Sequence, residues 1–149
     1  MTHTHSVTET LNDLIKITKD GQEGFRNASE NVRDHALKAV LSKYSLQRAK
    51  FAGELQQLVI GLGEEEAKES DLLGALHRGW INLKAAITKG DDHAILAECE
   101  RGEDVAKDAY KHALENDDLP RNIRDTITAQ SIEVQTAHDD IKSRRDASR

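Results

Sequence analysis

The chain has 149 residues, enough for one domain with a substantial core. Charged residues make up 32% and aromatic residues only 3%, with a single proline, which argues against an all-β fold and for helices packed through Leu, Ile, Val and Ala. The net charge of −6 argues against nucleic acid or an anionic membrane surface as a partner.

Residues 1–6 read as a short flexible tail on a single domain spanning 1–149. Met1-Thr2-His3-Thr4-His5 lacks the basic and apolar regions of a signal peptide, and two histidines on a frayed end are weak evidence for a metal. The first helix begins at a capping box: Ser6 caps the first amides and Glu9 reaches back. Its apolar stripe is Val7, Leu11, Leu14, Thr18, Gly21, Phe25, Ala28 and Val32, in the alternating steps of four and three that mark a packed helix face. Gly21 and Gly24 each lower helix propensity by about 1 kcal/mol, so either a kink or a close helix approach is expected there.

Asp34 is the expected N-cap of the second helix. Its stripe is Leu37, Leu41, Tyr44, Arg48, Phe51, Leu55, Leu58 and Leu62, and Gly63 serves as the left-handed C-terminal cap. A charged linker, 64–69, leads to a short helix expected from about Leu72 to Thr88, capped by Ser70 or Asp71 and closed by Gly90. This piece carries His77, Arg78 and the only Trp, Trp80. With Leu76, Leu83 and Ile87 it either covers the core or forms a subunit interface or a partner groove. Asp91 or Asp92 caps the third long helix, whose stripe is Leu96, Cys99, Glu103, Ala106, Tyr110 and Ala113. The fourth starts at Asp117-Asp118-Leu119-Pro120, with Pro120 in its first turn, and its stripe is Ile123, Ile127, Gln130, Val134, Ala137 and Ile141.

The linkers define a topology. The first two long helices have a short link, as do the last two, and nearly 30 residues separate the pairs. Two hairpins joined by one long crossover make an all-α, ferritin-like four-helix bundle with a short extra helix in the crossover. No apolar run approaches the roughly 20 residues needed to span a bilayer, and the single cysteine fits a reducing, cytoplasmic compartment. Cys99 sits on an apolar stripe, so an inert buried thiol is favoured over a nucleophile.

Several stretches carry a family resemblance: Leu11-Asn12-Asp13-Leu14-Ile15, Asp20-Gly21-Gln22-Glu23-Gly24-Phe25, Gln47-Arg48-Ala49-Lys50-Phe51-Ala52-Gly53-Glu54-Leu55, Gly74-Ala75-Leu76-His77-Arg78-Gly79-Trp80, and Asp91-Asp92-His93-Ala94-Ile95-Leu96-Ala97-Glu98-Cys99-Glu100-Arg101-Gly102-Glu103-Asp104. The chain resembles, over nearly its whole length, a bacterial ferritin-like four-helix-bundle family filed as a domain of unknown function. The resemblance implies a bacterial source and a ferritin-like bundle, and it implies no activity.

Each stripe turns polar or glycine near its middle, at Thr18 and Gly21, Gln47 and Arg48, Gly102 and Glu103, and Gln130. Di-metal carboxylate bundles place their ligands at that level, using a Glu from two helices and Glu-x-x-His from the other two. No Glu in this chain is followed by His three residues later. Helix 2 offers Gln47-x-x-Lys50 and helix 4 offers Gln130-x-x-Glu133, and a lysine supplies no ligand at neutral pH. The oxygen donors that remain are Glu23, Glu54, Glu100, Glu103 and Glu133.

Three readings stay open. Glu100 and Glu103 hold a metal, iron or manganese, with Glu23 and Glu133. Alternatively, Arg48 pairs with Glu103 or Glu23 in a polar layer completed by Gln47 and Gln130, or Arg48 reaches out to water. The absent motif favours the polar layer, with no catalytic, cofactor or metal residues and no cofactor. On that reading the protein is a non-catalytic bundle with a degenerate di-metal site, acting through assembly into a homo-oligomer or through a protein partner. The alternative is a carboxylate-rich metal-binding oxidase or iron-handling protein.

Overall fold

A computed structural model describes residues 2–64 and 77–148, with side chains over 7–64 and 79–148. The described residues form helices and no strands: α1 (Thr2–Asn31), α2 (His35–Gly61), α3 (His77–Trp80), α4 (Leu83–Lys89), α5 (Asp92–Leu114) and α6 (Arg121–Ala147). The linker caps expected at Ser70 and Asp71, and the side chains of His3, His5, Leu76, His77 and Arg78, lie outside the described residues.

Local chemistry sets most boundaries. The Asp34 carboxylate accepts from the amides of Ala36 and Leu37, satisfying donors that α2 leaves open. At the other end Gly63, at φ 79°, lets the Glu64 amide reach the Val59 carbonyl and its own amide the Ile60 carbonyl. Asp91 caps α5 through the His93 amide. Three expectations shift. The backbone of α1 is helical from Thr2, so Ser6 lies inside the helix and does not cap it. Pro120 sits one step before α6 as its N-cap residue, with Arg121 the first helical residue. Among the described residues the crossover helix is interrupted by a turn at 81–82, which separates His77–Trp80 from Leu83–Lys89, and Gly79 takes a left-handed φ of 81°.

Packing follows the stripes. Every predicted stripe position on α1, α5 and α6 is buried, as are those of α2 up to Leu55, while Leu58 and Leu62 are partly covered. α1 packs on α2 and on α5, α5 packs on α6, and α2 meets α6. The direction of α5 is fixed at one corner: Asp92 accepts from the amides of Arg33 and Asp34 at 2.8 and 3.1 Å, so α5 begins beside the start of α2 and runs parallel to it. The end of α2 and the start of α5 therefore lie a full helix length apart, about 40 Å for the 27 residues of α2. At the opposite corner the Arg124 guanidinium donates to the carbonyls of Leu114 and Asn116, closing the end of α5.

The core divides in two. One apolar cluster runs from Val7, Leu11 and Leu14 to Phe51, Leu55, Tyr110 and Ile123. The other gathers Phe25, Leu41, Tyr44, Trp80, Leu96 and Ile141. On α1, α2 and α5 the division falls at Thr18–Gly21, Arg48 and Glu103.

Candidate functional site: a buried ion pair and an indole wedge

Arg48 and Glu103 occupy the division between the clusters. They stand on parallel helices whose apolar stripes both turn inward, so the two charges face each other across the interior. Arg48 Nη1 donates to Glu103 Oε1 at 2.5 Å and Nη2 to Oε2 at 2.7 Å. The side chains are 2% and 0% exposed. Gln47 Oε1 accepts from Arg48 Nε at 3.2 Å. The guanidinium carbon also lies 5.3 Å from the Phe25 ring centre, within cation–π range. Burial works against the charge on Arg48, and the neighbouring Glu103 carboxylate more than offsets it, so the guanidinium is held charged.

The glycines in the stripes make room for this arrangement. A Cβ on Gly21 would come within 3.3 Å of Arg48 Cγ, so α1 lies against the arginine stem. A Cβ on Gly24 or on Gly102 would come 2.4 or 2.2 Å from the Trp80 ring. The indole is therefore wedged between α1 and α5, and it meets Phe25 edge to face at 5.1 Å between centroids. Of the two expectations for Gly21 and Gly24, close approach is what occurs. The approach is to side chains, one from α2 and one from the crossover.

The remaining predicted donors scatter. Gln130 is buried and bonds to groups outside the ion pair: it accepts from Tyr110 Oη at 2.6 Å and donates to Glu54 Oε1 at 2.9 Å and the Phe51 carbonyl at 3.4 Å. The polar groups thus form two hydrogen-bonded sets, Arg48 with Glu103 and Gln47, and Gln130 with Tyr110 and Glu54. Glu23 lies at the surface with Arg26. Glu133 is exposed, and with Glu54, Gln57 and Gln130 it borders a groove between α2 and α6. Glu100 points to Arg145, with Nε to Oε1 at 3.0 Å. Of the five donors, only Glu103 stands at the centre, and both its oxygens are engaged by Arg48. Iron or manganese would have to displace this guanidinium to reach Glu103.

Burial pushes the hydroxyls of Tyr44 and Tyr110 well above their ordinary range, helped at Tyr44 by Asp140, which accepts its proton at 2.5 Å. It also pushes up the Cys99 thiol, with the charges of Glu103 and Glu98 adding to the effect. Cys99 is inert by environment, as its place on the stripe predicts.

Two features had no sequence signal of their own. Glu98 is buried beside an apolar stripe, its Oε2 without a hydrogen bond. His138 is also buried, facing Asp104 Oδ1 through Nε2 at 2.8 Å and Asp139 Oδ1 through Nδ1 at 3.1 Å. The Asp139 carboxyl is held below its ordinary range by hydrogen bonds from His138 and Gln135. Glu100-x-x-x-Asp104 puts two carboxylates on one face of α5, a spacing that could have signalled half of that cluster. Its partner on α6 emerges only once the helices are paired.

These features define an all-helical protein with a salt-bridged interior and a tryptophan wedged into its core. Residues 6–116 match the family described as a domain of unknown function (DUF2383), and the chain belongs to that family. No curated protein matches the chain. Among the described residues, no helix is long and apolar enough to cross a membrane.

Proposed function

We propose that this is a ferritin-like four-helix-bundle protein in which an arginine–glutamate pair stands where related bundles hold a di-metal centre, and that it is non-catalytic. It acts through assembly into a homo-oligomer or through a protein partner. The observation that carries this reading is the fully buried guanidinium of Arg48 engaging both oxygens of Glu103. A cation already neutralises the central carboxylate, so the site has neither free ligands nor charge for a metal. Two hairpins with one long connection support the ferritin-like class. The lone Cys99 suits a reducing, bacterial cytoplasm.

Metal analysis of anaerobically purified protein, combined with light scattering, tests this. The expected result is a particle larger than one chain whose content of iron or manganese does not depend on Glu103. Stoichiometric iron or manganese that disappears in Glu103→Ala would establish the alternative, a carboxylate-rich oxidase or iron-handling protein.

A further inference from the structure

Away from the central pair, α5 and α6 bring Glu100, Asp104 and His138 together, with one donor atom of each within 4.8 Å of the others. Glu100 and Asp104 are one turn apart on α5 and so project from one face. The His138 side chain is 8% exposed, and carboxylates meet both of its ring nitrogens. A neutral imidazole carries one N–H. Nδ1 lies 3.1 Å from Asp139 Oδ1 and Nε2 lies 2.8 Å from Asp104 Oδ1, so one ring nitrogen is backed by a carboxylate while the other faces the Glu100–Asp104 side of the cluster. A carboxylate behind one nitrogen is also how metal-ligating histidines are oriented. Glu100 Oε1 has no accessible surface and is held by an ion pair with Arg145, whose Nε lies 3.0 Å away.

We infer that Glu100, Asp104 and His138 form a site for one divalent transition-metal ion that clamps α5 to α6. One imidazole nitrogen and two carboxylate oxygens suit zinc, manganese or iron(II), with further coordination positions open to water. Donors about 2.0–2.2 Å from an ion stand closer together than the present spread, so side-chain rotation closes the site without moving the helices. Arg145, near the end of α6, gives up Glu100 and keeps Asp146, with which it already pairs at 3.0 Å. The site lies on the α5–α6 hairpin and does not use Glu103, so it is independent of the central ion pair.

Zinc is the probe. Tag-free protein carrying His3→Ser and His5→Ser is stripped with chelator and titrated with Zn²⁺ against a chromophoric chelator, with the thermal midpoint followed in parallel. One Zn²⁺ per chain is expected, with a raised midpoint. His138→Gln and Asp104→Asn weaken binding more than 10-fold, Asp139→Asn weakens it by about 10-fold through loss of the orienting hydrogen bond, and His112→Gln leaves it unchanged. Asp104 is largely exposed, so Asp104→Asn folds and keeps the test decisive even if His138→Gln does not. No saturable binding below about 1 mM, equal binding in Asp104→Asn, or His138 ring resonances that do not move when zinc is added would each overturn the site.

Discussion

Replacing Glu103 by Gln removes one charge from the interior and almost no volume. The Gln amide oxygen can still accept one of the two short bonds from Arg48, at 2.5 or 2.7 Å in the native pair. The amide nitrogen then faces a guanidinium that has only donors. With both side chains essentially inaccessible, water cannot replace the lost carboxylate. Breaking a buried pair by removing one partner costs about 3–5 kcal/mol. With a urea slope of about 2 kcal/mol per M, the midpoint of Glu103→Gln falls by about 2 M. The paired replacement Arg48→Met with Glu103→Leu removes the uncompensated charge and fills similar space. It should lie within about 1 kcal/mol of the native protein or above it. Urea melts followed by circular dichroism read all three proteins. A Glu103→Gln variant within about 0.5 kcal/mol of native would show that solvent reaches the pair, and the reasoning from burial would fail.

Gly102→Ala sets a methyl group against the Trp80 ring, at a Cβ position 2.2 Å away. The gain in helix propensity, about 1 kcal/mol, is smaller than the overpacking cost of about 1–3 kcal/mol. Loss of stability with red-shifted tryptophan emission is expected. Gly53→Ala is the control: nothing lies within 4 Å of its Cβ position, so stability rises by about 0.5–1 kcal/mol, measured in the same melts. Cys99 should give no reaction with a thiol reagent in the native protein and one thiol per chain in denaturant. Tyr44, Tyr110 and Cys99 all have raised folded-state values, so the stability they contribute is complete below the unfolded values, about 10 for tyrosine and about 8.5 for cysteine, and is lost as the pH rises. The urea midpoint should fall between about pH 8 and about pH 10.5, and less so in Tyr110→Phe, which starts from a lower stability for want of its bond to Gln130.

Periodicity carried the long helices because burial of one face is a property of each helix alone. Val7 to Val32 and Ile123 to Ile141 are buried position by position as their spacing requires. The Arg48–Glu103 pair was legible as one of two partners for Arg48, since charges on inward stripes must meet something. What the stripes could not convey is which polar groups pair. Gln130 takes Tyr110, Glu54 and the Phe51 carbonyl as partners, a choice set by how α6 packs on α2 and α5. Glu23 follows a stripe residue by two positions, which turns it outward. Reading it into the centre gave more weight to its charge than to its angle on the helix. The His138 cluster depends on which face of α5 meets α6, a relation between helices that neither helix encodes by itself.

Trp80 makes the meeting of the two hairpins a three-body event. Its ring fills a slot whose walls are Gly24 on one hairpin and Gly102 on the other, so the walls have little to hold between them until the connecting segment has delivered the indole. Three positions far apart in the chain thereby behave as one unit of inheritance: a larger wall residue shuts the slot, a smaller wedge empties it, and only concerted change preserves the joint. The longest connection in the molecule is for that reason part of the joint it spans.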